Sequence, residues 1–458
     1  MAATPRDSLG NESPLPFTPT AALEQEAEFI GSGHAAPAAD GPNLSKRYQF
    51  LIYLAQFMLY IAVVVPGAFS LAIRVEQIAP EAKDAILPLA VGIPGLLSII
   101  VIPLVGVWSD RTRSRFGRRR PWLIGGALIS IVGTAMIGLT DSVEMLILGW
   151  AIAMIGYSAA GNLITIHLGD ILPEEQRGKV MGTLGAINQI APLVGIVIAG
   201  AVVSSPIALF LIPGALAMLG LLAFGLNMKD PQVTEVSKTS GIKAVLSGFW
   251  FNPRRYPNIA WVWISKAFIF LALSFSTIYG VYLIASRLGL DPAGVGGLIA
   301  TAGLVSTVAG IGGAIGSGVL SDRLKTRKPF LIVSALLIGV GLIITGTTAS
   351  VPQYLIGSIV TSFAIGIYGA VDQALALDVL PREENENGRF LAILALGTSI
   401  PQAVGPLVAG GILIAFGGDY LGVYLVGAAA TVLAAIAIIP ITVGRRATLS
   451  TTSTRSID

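Results

Sequence analysis

The stretch Gly106-Val-Trp-Ser-Asp110-Arg111 recurs later in the chain as Gly318-Val-Leu-Ser-Asp322-Arg323, an offset of 212 residues. Each copy follows a long apolar stretch and leads through basic residues into a proline, Pro121 in the first case and Pro329 in the second. Self-similarity at a fixed period indicates repeated structural units. The chain is therefore expected to consist of two equivalent halves.

Two further pairs of motifs follow the same repeat. Asp170-Ile-Leu-Pro173 matches Asp378-Val-Leu-Pro381, and Pro192-Leu-Val matches Pro406-Leu-Val, at offsets of 208 and 214 residues. Small loop insertions account for this drift. Three pairs in the same order predict parallel repeats related by an axis along the membrane normal.

Composition places these repeats in a membrane. Of the 458 residues, 54% are hydrophobic and 12% are charged, which is too little polar surface for a water-soluble fold of this size. The 54 glycines suit helices that must approach one another closely in lipid. The net charge of +3 gives no reason to expect nucleic-acid binding.

Many apolar stretches between charged residues reach the roughly 20 residues that a membrane-spanning helix needs. They predict an all-α membrane protein with twelve spans. The runs are Tyr48–Ile73, Ala85–Ser109, Pro121–Thr140, Met145–Gly169, Val180–Met228 divided at Ser204-Ser205-Pro206, Pro257–Ser286, Pro292–Ser321, Pro329–Val371 divided near Ser350, Phe390–Gly418 and Tyr420–Gly444.

The basic residues predict the orientation, because lysine and arginine are retained on the cytoplasmic side. With both termini inside, 25 of the 29 basic residues lie on that side. The predicted organisation is a disordered cytoplasmic tail, a six-helix bundle, a cytoplasmic linker, a second six-helix bundle and a cytoplasmic tail. Their ranges are 1–45, 46–228, 229–256, 257–444 and 445–458, and no signal peptide is expected.

Several classes of chemistry are disfavoured by the sequence. Cysteine is absent and there are two histidines, so disulfides, thiol nucleophiles and cysteine- or histidine-based metal sites are not expected. No glycine-rich phosphate loop followed by Lys-Ser or Lys-Thr is present, which argues against ATP as the energy source. We predict a protein without cofactor or enzymatic activity.

The segment from Gly106 to Arg120 resembles the signature loop of the major facilitator superfamily. Its second part, Ser114-Arg-Phe-Gly117-Arg118-Arg-Arg-Pro121, is similar to the variant in sucrose transporters and related glycoside-pentoside-hexuronide cation symporters. The resemblance implies two six-helix bundles, alternating access and transport driven by an ion gradient. The second span lacks the aspartate that could bind sodium in the melibiose type.

This resemblance also implies a function and its partners. We predict proton-coupled symport of a sugar or glycoside by a monomer in the plasma membrane, in contact with membrane lipid. A drug or metabolite exporter of the same fold is the alternative, although Ala191-Pro192-Leu-Val-Gly195 departs from the Gly-Pro-x-x-Gly-Gly run that is usual in the fifth span of drug antiporters of this superfamily. A non-transporting sensor or an intramembrane enzyme is more remote, since no signalling domain or catalytic cluster is seen.

In that family the first, fourth, seventh and tenth spans line the central cavity, so their polar residues are candidate substrate contacts. Aromatic faces beside hydroxyls and amides suit a sugar and would also suit amphipathic drugs. The candidates are Tyr53, Gln56 and Tyr60 on the first span, Tyr157, Asn162 and Thr165 on the fourth, Phe270, Ser274 and Thr277 on the seventh, and Thr361 and Tyr368 on the tenth.

Lys266 and Asp372 are charges within the seventh and tenth spans, at a similar expected depth. An ionisable residue inside a span is a candidate functional residue. We predict that the two form an ion pair, or that Asp372 exchanges a proton under the influence of the lysine charge. Alternatively, Lys266 extends to the headgroups and Asp372 bonds locally.

The repeated loops are candidate gates. They contain Gly106, Asp110, Arg111, Gly117 and Arg118 in the first half and Gly318, Asp322 and Arg323 in the second. Asp110 is expected to accept a hydrogen bond from the opposite half, which would break on inward opening. In the alternative interpretation, the arginines only keep the loop on the cytoplasmic side and bind anionic lipid headgroups. Asp170 and Asp378 precede Leu-Pro breaks, where helix-end or cross-loop contacts are expected.

Overall fold

The computed structural model describes residues 43–230, 251–380 and 387–442. Within these ranges it is all-helical, and twelve helices are long and apolar enough to cross a membrane, which confirms the predicted number. They are α1 (Lys46–Ile78), α2 (Lys83–Arg111), α3 (Arg120–Leu139), α4 (Val143–Ile171), α5 (Glu174–Ala201), α6 (Pro206–Asn227), α7 (Pro257–Leu288), α8 (Pro292–Leu324), α9 (Lys328–Gly346), α10 (Val351–Asp378), α11 (Asn387–Ala415) and α12 (Tyr420–Ile438).

Helix ends follow the local chemistry of the sequence. Pro257 and Pro292 are the first residues of α7 and α8, where a missing N–H costs nothing. Helix α7 ends at Leu288 and is capped by Gly289, whose positive φ of 64° favours glycine. The predicted tails 1–45 and 445–458 lie almost entirely, and the predicted linker 229–256 largely, outside the described residues, so these remain predictions.

Helix α1 extends past its predicted end at Ile73 and contains a π-helical turn. The turn covers Pro66–Ser70, and the helix then continues to Ile78. Charged residues bounded the sequence prediction, but a helix can continue through them into the polar interface. Such π turns are often associated with functional sites.

Small residues let helices pack closely within each half. In the first half, a Cβ added to Gly156 of α4 would lie 2.7 Å from the backbone nitrogen of Ser130 in α3. In the second half, a Cβ on Gly366 of α10 would lie 3.0 Å from the nitrogen of Ala314 in α8. These contacts are those expected where lipid supplies no hydrophobic drive and helices associate by close packing.

The two halves meet through repeat-related contacts. Leu193 of α5 packs against Gly303 of α8, and the equivalent Leu407 of α11 packs against Gly92 of α2. Both leucines belong to the Pro-Leu-Val repeat. Each therefore fills a glycine notch in the opposite half, as a pseudo-twofold arrangement requires.

Tyrosine hydroxyls join the halves at one end of the bundle, which we call the tyrosine end. Tyr282 donates to the carbonyl of Ala72 at 2.8 Å, and Tyr279 donates to the carbonyl of Asp84 at 2.7 Å. Tyr420 donates to the Asp84 carboxylate at 2.7 Å. The ends of α7 and α12 are thereby tied to the α1–α2 hairpin.

The buried apolar core also differs between the two ends of the bundle. One cluster of buried apolar side chains runs through the first half and continues into residues such as Phe275, Val295 and Leu413 near the tyrosine end of the second half. A separate cluster, from Ile259 to Ile441, is made of second-half residues alone. The halves thus share one core at the tyrosine end.

Candidate functional site

At the opposite end lie two basic loops, residues 112–119 with four arginines and residues 325–327 with one, and we call it the arginine-rich end. In the first half, Asp170 of α4 accepts ion pairs from Arg118 at 2.6 Å and Arg119 at 2.5 Å. Asp110 lies farther from the same arginines, at 3.7 and 3.8 Å. Burial lowers the pKa of the Arg119 guanidinium, and the Asp170 carboxylate opposes that shift.

The second half repeats this cluster with one arginine. Arg327 lies 2.8 Å from Asp322 and 3.2 Å from Asp378. Arg119 and Arg327 were not among the predicted gating residues. Each stands two positions before the repeated proline, Pro121 or Pro329, so an alignment on the prolines would have paired them.

The described ion pairs of Asp110 stay within its own half. Within the described ranges both partners are arginines of the first half, and the contact of Asp110 with the other half stays a prediction. Gly106 packs near Asn162 of α4, with 3.9 Å between an added Cβ and the amide nitrogen, whereas nothing lies within 4 Å of an added Cβ on Gly318. Arg111 and Arg323 are exposed.

Gly117 has a specific conformational role in the first loop. Its φ of 97° is in the region that favours glycine, and an added Cβ would overlap the Asp230 carboxylate. That carboxylate accepts from the backbone nitrogens of Arg119 at 2.6 Å and Arg120 at 2.9 Å. Asp230 thus caps the start of α3.

We expect Gly117→Ala to destabilise the protein by about 1–3 kcal/mol, because strain at positive φ adds to the loss of the Asp230 cap. The thermal midpoint of the purified variant should fall relative to wild type. Gly125→Ala is the matched control, since nothing lies within 4 Å of its added Cβ. An unchanged midpoint in Gly117→Ala would contradict the capping role.

Lys266 of α7 and Asp372 of α10 are placed together. The Lys266 Nζ lies 2.9 Å from Asp372 Oδ2, and the side chains are 14% and 6% exposed. Tyr368 stands one helical turn before Asp372 and is 4% exposed, and Ser265, next to Lys266 in the chain, is 2% exposed. The structure therefore joins four polar residues of α7 and α10 in one largely buried cluster.

Polar side chains of the first half bridge neighbouring helices. Gln56 Nε2 donates to Asn188 Oδ1 of α5 at 3.2 Å, and Asn162 Nδ2 donates to the Ile102 carbonyl of α2 at 3.2 Å. The Thr165 hydroxyl bonds within its own helix, to the Gly161 carbonyl at 3.2 Å. Asn188 was not a predicted site residue.

The other predicted cavity residues differ in exposure. Tyr60, Phe270 and Ser274 are partly exposed and Thr277 is exposed. The hydroxyl of Tyr53 is buried and makes no hydrogen bond within the described chain. Ser274 also packs against Gly405 of α11.

Two predicted residues lie in helix interfaces instead. Tyr157 is 1% exposed and lies near Ser130 and Thr134 of α3, and its buried hydroxyl makes no hydrogen bond within the described residues. The Thr361 hydroxyl lies against Gly341 of α9. A helical stripe in the sequence does not fix the rotation of the helix, so a role of these two side chains in the cavity stays a prediction.

His167 lies near the arginine cluster and is 1% exposed. Its Nε2 is 2.7 Å from the Tyr48 hydroxyl of α1, and that hydroxyl accepts from the Lys229 nitrogen at 3.2 Å. The histidine thus connects α4 with the start of α1 and the end of the first half. These hydrogen bonds join the three segments at the arginine-rich end.

Two repeat-related bundles, joined at one end and carrying a buried charge pair between spans, define a membrane transporter. The family profile of the Major Facilitator Superfamily matches residues 48–382 and 283–456. The chain belongs to this family. It is an integral, multi-pass membrane transporter.

Relatives agree with this assignment. The chain is 23% identical over 409 residues to "Uncharacterized MFS-type transporter YwfA" of Bacillus subtilis (strain 168), covering 85% of this chain and 92% of the relative. It is 26% identical over 129 residues to "Sucrose transport protein SUC3" of Arabidopsis thaliana, covering 26% of this chain and 20% of that protein.

A solved structure shares the fold. It is described as a bacterial homologue of the human lysosomal transporter Spinster in an inward-facing, unoccupied conformation. The TM-score is 0.62 at 16% sequence identity, over 86% of this chain and 96% of that one.

Proposed function

We propose that this transporter is a proton-coupled symporter of a sugar or glycoside. The observation that carries the proposal is the Lys266–Asp372 ion pair, 2.9 Å long and largely buried between α7 and α10. A charge pair inside spans is costly and is characteristic of ion pathways. Asp372 is the proton acceptor in this proposal, and Lys266 is its counter-ion.

The geometry suggests how proton binding and helix movement are coupled. A proton on Asp372 removes the negative charge that holds Lys266, so the contact between α7 and α10 weakens. Tyr368 lies beside the Asp372 carboxyl, and its hydroxyl can donate a hydrogen bond to the carboxylate or accept one from the protonated acid. Binding of substrate and proton together would then permit the change between access states.

The direction of opening follows from the positive-inside rule. The arginine-rich end would face the cytoplasm, with both termini on that side. Because the halves share their core at the tyrosine end, the conformation would be inward-facing. The arginine clusters would be intact within each half in this state and would contact the opposite half when the inner side closes.

The sugar assignment rests on uncharged polar groups and on the sucrose transport relative. Gln56, Asn162, Thr165, Ser274 and Thr277 offer amides and hydroxyls at partly or fully exposed positions. Such groups match the donors and acceptors of sugar hydroxyls. We further propose a monomer in the plasma membrane, with lipid headgroups at the exposed arginines.

The proposal is tested with purified protein in liposomes and a panel of radiolabelled disaccharides and glycosides. An imposed gradient of two pH units should drive accumulation of at least one sugar, up to about 100-fold for one proton per sugar, since each unit supplies about 1.36 kcal/mol. Dissipating the gradient with a protonophore should abolish accumulation. Gradient-driven extrusion of dyes without sugar uptake would instead identify an exporter.

A further inference from the structure

Two amide side chains occupy equivalent positions of α5 and α11. Asn188 stands four residues before Pro192-Leu-Val, and Gln402 stands four residues before Pro406-Leu-Val. Because the leucines of both motifs make equivalent contacts with the opposite half, the helices have the same rotation. Asn188 and Gln402 are therefore related by the pseudo-twofold axis.

The packing of α11 shows which way Gln402 faces. Leu407 contacts Gly92 of α2, and Gly405 contacts Ser274 of α7. Val408, which is 38% exposed, is turned about 120° from Gln402, and Gly411, which is also exposed, is turned about 180° from it at 3.6 residues per turn. Gln402 points between α2 and α7, away from that outer side.

Exposure changes along this face of α11. Ala409 and Leu413, about two and three turns from Gln402 towards the tyrosine end, are 0% and 2% exposed and belong to the core shared with the first half. Gln402 is exposed. The same face is thus closed between the halves at one end and open at Gln402, where it borders the space between them.

The packing of α5 repeats this arrangement. Leu193 contacts Gly303 of α8, and Gly195 lies against α1, with 2.9 Å from an added Cβ to an Ile61 side-chain carbon. Val197, on the opposite side of the helix from Asn188, is 59% exposed. Asn188 is partly exposed on the face of α5 that is turned towards α1, and its Oδ1 already accepts from Gln56.

We infer that Asn188 and Gln402 bind the substrate from opposite sides and determine its specificity. A carboxamide has two N–H donors and one carbonyl acceptor and carries no charge, so a pair of them fits an uncharged, polyhydroxylated ligand. Gln56 fixes the orientation of Asn188 and leaves its NH₂ group for the ligand. The inference rests on the proposed sugar transport and names contacts for it.

The first test measures binding to detergent-purified protein by calorimetry, with the sugar that wild type takes up most strongly. Asn188→Leu and Gln402→Met remove the amides at nearly constant volume. Each should weaken binding about tenfold, because a site group that bonded a hydroxyl is lost. Asn227→Leu, at the exposed end of α6, should bind like wild type.

The second test uses the absence of cysteine from the chain. Single variants Asn188→Cys and Gln402→Cys should react with a charged, water-soluble thiosulfonate, and the sugar should slow the reaction. Val408→Cys should not react from water. Labelling without protection by the sugar would overturn the inference.

The outcomes separate this inference from the proposed function. If wild type accumulates a sugar but both amide variants bind it as tightly as wild type does, the inference fails and the function stands. If sugar binds through the amides but a proton gradient drives no uptake, proton coupling fails and the inference stands. If no sugar or glycoside binds wild type, the substrate class and the inference both fail.

Discussion

Replacing Asp372 by asparagine should abolish sugar accumulation driven by a proton gradient. Asparagine cannot take up a proton, so the internal concentration should only equal the external one, against up to about 100-fold accumulation expected for wild type at two pH units. Passive entry down a sugar gradient should persist. The measurement is liposome uptake with and without the imposed gradient.

The interpretation must separate coupling from folding. Asp372→Asn leaves Lys266 largely buried without its counter-ion, which can cost about 3–5 kcal/mol. The double variant Lys266→Met with Asp372→Leu replaces the pair by apolar groups of similar volume, a change that is often neutral or stabilising. It should fold as well as wild type and still fail to concentrate sugar.

A matched control comes from another aspartate. Asp291 is the N-cap of α8 and accepts from the Gly294 nitrogen at 2.8 Å, and asparagine caps equally well. Asp291→Asn should therefore accumulate sugar normally. Unchanged accumulation by a well-folded double variant would eliminate Asp372 as the proton carrier.

The sequence predicted the fold because the relevant signals are long and repeated. Twelve apolar stretches and three motif pairs determine the number of helices and the relation between halves. The π-helical turn at Pro66–Ser70 was not predicted, since it depends on how α1 packs against its neighbours. Helix ends were misplaced wherever a helix continued past charged residues.

The site was predicted less completely. Lys266 and Asp372 were found because charges are rare inside spans. The proposed substrate contacts Asn188 and Gln402 were not predicted, since they lie on α5 and α11, outside the first, fourth, seventh and tenth spans, and carry no charge. Both stand four residues before the repeated Pro-Leu-Val motif, at Pro192 and Pro406, and this shared position could have identified them from the sequence.

The second prediction with a large expected effect concerns the glycine notch at Gly303. We expect Gly303→Leu to reduce transport strongly, because its side chain would occupy the position of Leu193 from the other half. Overpacking of this kind costs about 1–3 kcal/mol. This cost falls only on the conformation that is closed at the tyrosine end. The equilibrium between the closed and open conformations should therefore shift about 5- to 150-fold towards the open one.

Accessibility of a single cysteine measures this shift. Ala409→Cys places a thiol in the core shared by the halves, where the side chain is 0% exposed. It should be protected in the wild-type background and reactive in Gly303→Leu. The repeat predicts the same result for Gly92→Leu, because Leu407 fills that notch.

Gly312→Leu, on the same helix, separates the effect on closure from a general effect of a larger residue. Nothing lies within 4 Å of an added Cβ on Gly312, so transport and protection of the thiol should remain as in wild type. If Gly303→Leu folded, transported sugar and kept the thiol protected, the notches would not control closure. If both notch variants open the tyrosine end and Gly312→Leu does not, the two leucine contacts together control closure at that end.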